Sequence, residues 1–443
     1  MKSILSEDSY ALFLESFDQD VPTSIRFNPD KISFSDIESQ NLQSVPWAEH
    51  GYYLQERPIF TSNLAYQAGE YYVQEASSML IEQLFKQHIS SDNPLKILDL
   101  CAAPGGKTTH LLTLAHPQSL VVSNELIPKR FQILKENIQR WGSVNAILTN
   151  RDANFLSKHL IDFFDLILVD APCSGEGMFR KDERAIQEWS KAHVKSCSLR
   201  QKNILDEAVK MLKVGGFLIY STCTYNVSEN QENIAYLIEN GFSYLSCKFD
   251  PSWNIVGENF GYQCFPHLVK GEGFFCCILK KEVDLNQERK LKNQTTSLIS
   301  EISKNDLKRL KDIGLYSSLF SYFTYQNMIY AVLNEFMEDR ILLANLFRTS
   351  AGLYIGEFKG NNFIPSHDLA LQKKHPNPYP IAQLTYENAM KFLRKDNNFE
   401  TIEDISKPGI YNIAFENKIL GFAKFIGTRW NNYFPSELKI RNY

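Results

Sequence analysis

Apolar residues along the chain follow two rhythms. Between positions 95 and 220, short unbroken apolar runs recur: "LKILDL" (95–100), "LVVSNE" (120–125), "NAILTN" (145–150), "DLILVD" (165–170) and "GGFLIY" (215–220). Runs of this length, bounded by turn-forming residues, predict strands buried on both faces. Between them the period changes. "PKRFQILKENIQRWG" and "VKSCSLRQKNILDEAVKMLKVGG" carry apolar residues at helical spacing and predict amphipathic helices. Strands alternating with helices at this interval predict an α/β fold, with a mostly parallel sheet covered on both sides.

The flanks read differently. Residues 1–90 predict short elements and then a helix in "QEASSMLIEQLFK", packed onto the α/β domain expected over 91–282. The polar stretch from Lys280 to Asp306 lacks a strand pattern and predicts a linker, placed at 283–305. Beyond it, "GLYIGEFKGNNFIPSHDLAL" predicts a hairpin turning at Lys359-Gly360-Asn361, within a small α+β subdomain at 306–378. A β module at 379–443 is expected to turn near Glu416-Asn417.

Composition narrows the class. No apolar run reaches the roughly 18 residues that a membrane span needs, and "MKSILSEDSY" lacks the apolar core of a signal peptide. Eight cysteines without metal-type pairing suit reduced thiols, so a cytoplasmic protein without membrane partner is expected. Nine scattered histidines show no ligand spacing, so no metal is expected. The net charge of −4 argues at first against a nucleic-acid partner. Its distribution reopens the question: residues 283–443 hold 21 Lys and Arg against 17 Asp and Glu, and residues 1–282 hold 26 against 34. A basic C-terminal part can hold a polyanion through local patches.

Candidate chemistry begins at "ILDLCAAPGGKTTHL", a strand, a glycine-rich turn and a helix start. Such a turn lies at the ligand-binding edge of a parallel sheet. "GGKT" resembles a phosphate loop, but that pattern needs glycine where Cys101 stands, which argues against an NTPase. A nucleoside cofactor remains, with an acid expected after the next strand for the ribose hydroxyls. Glu125 occupies that position, and Asp152 follows the third strand, within reach of an adenine.

Two thiols complete the pattern. In "DLILVDAPCSGEGMFR", Asp170 ends a strand, and Pro172, Gly175 and Gly177 force an irregular loop around Cys173. Cys223 in "STCTYN" follows the next strand, so it is expected at the same edge. Ser228 and Gln231 have the spacing of a capping box for the helix that follows. Two thiols and an acid beside a nucleoside cofactor suit methylation at carbon 5 of cytosine. That carbon is too weak a nucleophile until a thiolate adds to ring carbon 6. An acid then holds the charge developing at nitrogen 3, and a base removes the carbon-5 proton so that the thiol can leave. One cysteine is the nucleophile, Asp170 the ring-nitrogen partner, and the other cysteine assists release.

The stretches "LDLCAAPGGKTTHL", "NE" at 124–125, "NRDA", "VDAPCSGEGMFRK", "YSTCTYNVSENQENI" and "FPHLVKGEGFFCCIL" resemble, in order, those of the Sun-type (Fmu, YebU and nucleolar NOP) family of AdoMet-dependent RNA cytosine-5 methyltransferases. The C-terminal part resembles the bacterial RsmF/YebU branch. This resemblance implies a Rossmann-like class I AdoMet-dependent methyltransferase fold with an N-terminal α+β extension, a small C-terminal α+β subdomain and a PUA-like RNA-binding module. It implies S-adenosyl-L-methionine as cofactor, bound by Cys101, Ala102, Ala103, Pro104, Gly105, Gly106 and Lys107, with Glu125 on the ribose, Asp152 at the adenine end, and Arg130 and Asp170 in the same set. Cys223 is the implied nucleophile and Cys173 the release thiol. The implied substrate is small-subunit (16S) ribosomal RNA near the decoding site, free or within the subunit. The competing reading is a noncatalytic RNA-binding or ribosome-assembly factor on the same fold, which has no use for Asp170, Cys173 and Cys223 together.

Overall fold

The five apolar runs form the middle of a nine-stranded sheet in the computed structural model, which describes residues 4–285, 299–349, 351–403 and 405–441. Its strands are β1 (Lys96–Asp99), β2 (Leu120–Asn124), β3 (Ala146–Thr149), β4 (Phe164–Asp170), β5 (Leu212–Thr222) and β6 (Phe274–Lys281), extended past β6 by three short strands between Phe242 and Cys264. The order is β3-β2-β1-β4-β5-β6, parallel throughout except β6, which runs antiparallel to β5. Strand order reverses at β1, so the crevice between β1 and β4 is where such a sheet binds ligands. This is the class I methyltransferase arrangement.

Unbroken apolar runs are explained by burial on both faces. Along β4, Leu166 and Leu168 face one apolar layer with Leu84, Leu111 and Leu134, while Ile167 and Val169 face another with Leu156, Leu205 and Leu237. The connecting helices are α1 (Gly106–Leu114), α2 (Pro128–Trp141), α3 (Ala153–His159), α4 (Lys191–Met211) and α5 (Gln231–Glu239). Proline opens α2 and Gly142, at φ +79°, closes it, as the sequence predicts. Helix α4 is shorter than its apolar pattern. "LKVGG" belongs to β5 instead, because Gly215 at φ +79° and Gly216 break the helix and admit an irregularity in the β4–β5 register.

The N-terminal extension is a four-stranded antiparallel sheet with Ser24–Phe27 between Gly51–Tyr53 and Tyr71–Val73. It grips the helices that carry the candidate cofactor loop. Arg26 is 1% exposed, yet its guanidinium donates to Gln74 Oε1 (2.9 Å) and Thr109 Oγ1 (2.6 Å) and lies 4.6 Å from the Trp141 ring. A buried charge so fully bonded offsets much of its desolvation cost. Lys31 Nζ donates to Arg140 O at 2.8 Å, covering the end of α2.

Toward the C-terminus lie a five-stranded antiparallel sheet from Ser300–Glu301 to Asn362–Pro365 and a four-stranded sheet from Ile381–Gln383 to Trp430–Asn432. The first begins ahead of residue 306, the expected start of the subdomain. The linker expected at 283–305 falls mostly on residues 286–298, outside the described residues. Both hairpin turns lie where the sequence places them, at Gly360-Asn361 and at Glu416-Asn417, the latter pair with positive φ. No helix of the described residues is long and apolar enough to cross a membrane.

Candidate active site

Loops leaving β1, β4 and β5 converge on a cleft of about 390 Å³. Its walls include Asp99, residues 101–104, Gly106, Lys107, Arg130 and Asp170 on one side, and Met178, Lys181, Cys223 and Gly273 on the other. The loop after β1 turns through Gly105 at φ +113°, and α1 starts at Gly106, so Lys107 lies in the first helical turn rather than in the loop. A side chain at Gly105 would need left-handed backbone and would meet Leu134 at 3.2 Å. Arg130 Nη2 donates to Ala103 O (2.7 Å) and its Nη1 lies 3.5 Å from Glu125 Oε2, which ties α2 to the loop.

Three expected cofactor residues, Gly105, Glu125 and Asp152, lie off the cleft wall. Glu125 is buried and accepts the Ile127 N–H at 2.8 Å; Asp152 is exposed and accepts the Phe155 N–H at 2.7 Å as the N-cap of α3. A residue not expected lies inside it. Asp99 is fully buried, accepts a hydrogen bond from Thr108 Oγ1 at 2.6 Å, and has Oδ1 without a partner among the described residues. Burial pushes its carboxyl up to about 7.

Asp170 is held on both sides. Ser221 Oγ donates to its Oδ1 at 2.8 Å, and Lys107 Nζ lies 2.8 Å from its Oδ2. Burial opposes the charge on Lys107, but Asp170 outweighs it and raises the ammonium above its ordinary value. The wall carries Glu75, Asp99, Asp170 and Glu272 against Lys107, Arg130 and Lys181, with Lys107 already paired to Asp170, so it lacks the surplus of positive charge that a triphosphate needs.

Across the cleft, Cys173 Sγ and Cys223 Sγ are 3.1 Å apart. Both are half-buried and free of disulfides, but only Cys223 lines the cleft. The hydrogen bond to Cys223, together with burial, pushes the Cys173 thiol well up, so Cys173 keeps its proton toward Cys223. The loops bearing them are packed backbone to backbone: Gly177 N–H donates to Cys223 O at 2.8 Å, and a Cβ at Gly177 would stand 2.4 Å from Gly273 O.

Sequence reasoning missed the side chains that hold these loops. Glu229, fully buried, accepts the Ser174 N–H at 2.9 Å and a Gln201 Nε2–H at 2.8 Å. Glu176 accepts Thr224 Oγ1–H at 2.9 Å and Tyr225 N–H at 3.1 Å. Arg180 and Glu272, whose side chains are each 4% exposed, pair at 2.7 Å, with Glu272 on the cleft wall. The helix expected to be capped at Ser228 starts two residues later, with Asn230 in the N-cap position. Asn226 Oδ1 takes the Ser228 N–H (3.0 Å), which draws the chain into a turn, and α5 begins only after Asn230. The available signal was "SENQEN" itself, a polar run opening a helix that must pack against a sheet edge. The remaining cysteines are not in the pair: Cys276 and Cys277 are buried in β6. Among the described residues, no group of three or more His, Cys, Asp or Glu could hold a metal ion.

Comparison with known proteins places these features in a family. Residues 87–280 match the family model described as 16S rRNA methyltransferase RsmB/F, and residues 1–76 match the N-terminal domain of 16S rRNA methyltransferase RsmF. The chain is 30% identical to ribosomal RNA small subunit methyltransferase F of Shewanella piezotolerans, over 97% of this chain and 98% of that protein. Among solved structures, NSun6 from Pyrococcus horikoshii, crystallised with the AdoMet analogue SFG, superposes with a TM-score of 0.54 at 21% identity, covering 64% of this chain and 97% of the other. A methyltransferase homologue from the same organism gives 0.52 at 27% identity, covering 61% and 90%.

Proposed function

Because the chain belongs to the ribosomal RNA small subunit methyltransferase F family, we propose that it methylates carbon 5 of a cytosine in small-subunit (16S) ribosomal RNA near the decoding site, through a covalent adduct with Cys223. One observation carries the mechanism: of two thiols 3.1 Å apart, Cys223 alone faces the cleft. The cofactor is AdoMet, which supplies an electrophilic methyl group when bound. The protein's residues fit it. Asp99, with Oδ1 lacking a protein partner, suits the amino group of the methionine part, and residues 101–107 form the cradle. Arg130 holds that cradle from α2 through Ala103 O, with Glu125, just after β2, as the ribose residue and Asp152 as the adenine-end residue.

Cys223 Sγ adds to ring carbon 6, and Asp170 serves as the partner of nitrogen 3, with the Lys107 ammonium beside it offsetting the charge that builds there. The thiol pair then orders the steps. While Cys223 is free, its sulfur raises Cys173 and keeps it protonated. In the adduct Cys223 is an uncharged thioether, that constraint is lifted, and Cys173 can ionise. As a thiolate it takes the carbon-5 proton, and the electron pair of the breaking carbon–sulfur bond returns to Cys223. The N-terminal sheet and the module at 379–443, read as PUA-like, hold the RNA, and a paired target base leaves its stack to reach the cleft.

The test is Cys173→Ala expressed in cells and run on a denaturing gel with and without ribonuclease. A ribonuclease-sensitive slow band that disappears when Cys223 is also replaced is the expected result, and sequencing of the attached RNA then names the cytosine. Absence of that band from a protein that binds AdoMet refutes the thiol roles and favours an assembly factor.

A further inference from the structure

Glu229 has no part in the steps above, yet it is the most thoroughly engaged buried acid near them. It is fully buried, on the turn ahead of α5, and no cation pairs with it in the salt bridges of the described residues. Its carboxylate instead collects donors from the loop that carries Cys173. Ser174 N–H reaches Oε2 at 2.9 Å, Ser174 Oγ–H reaches Oε1 at 2.5 Å, and Gln201 Nε2 donates to Oε2 at 2.8 Å. Gln201 Nε2 also donates to Pro172 O at 3.0 Å, so the residues on both sides of Cys173 are tied to one carboxylate.

The opposite loop is tied to the same point. The Glu229 carbonyl accepts Tyr220 Oη–H at 2.6 Å and Asn233 Nδ2–H at 2.9 Å, and Ser174 Oγ lies 3.0 Å from Thr224 Oγ1, next to Cys223. Asn230, the next residue, accepts Thr222 Oγ1–H at 2.6 Å and donates to Thr224 O at 3.0 Å. Burial raises the Glu229 carboxyl, while the donors from Ser174 and Gln201 work against that rise and favour the anion; as the anion it opposes ionisation of the Cys173 thiol.

From this geometry we infer that Glu229 is the positioning residue of the release step: it holds Cys173 against Cys223 and keeps Cys173 a strong base for the carbon-5 proton. The inference rests on the thiol roles proposed above. A purely structural brace would lower adduct formation and adduct release together. A residue that acts through Cys173 affects release alone.

The experiment compares Glu229→Gln, Ser174→Ala and Cys173→Ala, each followed for formation and decay of the protein–RNA adduct between pH 6 and 9. Glu229→Gln is expected to form adduct within about twofold of the wild-type rate but release it about tenfold more slowly, the worth of one charge-assisted hydrogen bond. The rising limb of its release profile shifts to lower pH, because loss of the neighbouring charge eases ionisation of Cys173. Ser174→Ala, which keeps the backbone contact, shows a smaller delay of the same kind. If Cys173→Ala accumulates adduct while Glu229→Gln and Ser174→Ala release it normally, or lose formation and release in equal measure, the inference is overturned alone. If Cys173→Ala accumulates none, the thiol assignment is overturned and the inference with it.

Discussion

Replacing Gly177 by alanine is expected to slow attack by Cys223 far more than it weakens the fold. The added Cβ would stand 2.4 Å from Gly273 O and 2.9 Å from Cys223 O, both backbone atoms. An ordinary carbon–oxygen contact is about 3.3–3.6 Å, so the loops have to part by roughly 1 Å. The space between Gly273 and Gly177 is already full, with the Tyr225 hydroxyl 2.1 Å and Gly177 Cα 2.7 Å from where a Gly273 Cβ would be. Part of the displacement falls on the Cys223 loop, whose carbonyl takes the Gly177 N–H and stands 2.9 Å from the new Cβ. Overpacking of this kind costs about 1–3 kcal/mol, whereas misplacing a reacting atom by about 1 Å costs on the order of 100-fold in rate. Gly175→Ala is the control. Its φ of +76° makes alanine strained, at about 1–2 kcal/mol, but nothing lies within 4 Å of the new Cβ and the thiols stay where they are. In a Cys173→Ala background, the rate of appearance of the ribonuclease-sensitive band is measured for both variants, with melting temperature alongside. Gly177→Ala should be slow and modestly destabilised; Gly175→Ala should be destabilised and fast. Equal rates at equal stability would refute the claim that this packing sets the thiol geometry.

Two further outcomes follow from buried titrating groups. Asp99 is pushed up to about 7 by burial, so receiving an ammonium group requires it to lose a proton. AdoMet affinity is expected to fall about tenfold per pH unit below 7, and calorimetry in buffers of different ionisation enthalpy should show proton release on binding at pH 6; a flat affinity profile would contradict the role given to Asp99. His110, 1% exposed and bonded through Nε2 to Glu82 at 2.9 Å, is held neutral and pushed down to about 4 by burial and by Arg26. The unfolded chain takes up that proton near pH 6.5, so the contribution is whole above 6.5 and is lost as pH falls toward 4, roughly 3 kcal/mol in all. His110→Gln should flatten this part of the pH dependence of melting, and parallel curves for the two proteins would show the assignment to be wrong.

The parallel sheet was legible because strands buried on both faces need continuous apolar residues, and five such runs alternate with amphipathic helical stretches. Cys173 and Cys223 were legible for a related reason: each follows such a strand, and strand ends of a parallel sheet share one edge. The clamp around them was not. Glu229 meets Gln201 across 28 residues and Ser174 across 55, and Arg180 meets Glu272 across 92. No local period records such partners. Asp99 was hidden differently, as the polar end of an apolar run, where only the absence of a second hydrogen-bond partner sets it apart. The end of α4 was misread because "LKV" carries on the helical spacing until two glycines overrule it.

The cleft draws its wall from residues as far apart as Tyr72 and Phe274. Glu75 Oε1 closes the circuit, accepting the N–H of Ser77 at 2.8 Å and that of Glu272, 197 positions later, also at 2.8 Å. This has a consequence for biosynthesis, because chains are made from the N-terminus and fold as they emerge. Cys173 is translated fifty residues before Cys223 and waits without its partner. The last side of the cleft arrives only with β6, well past the middle of a 443-residue chain. A nascent or prematurely released fragment ending short of Phe274 therefore carries no assembled site, and competence is acquired late and in a single step of chain growth.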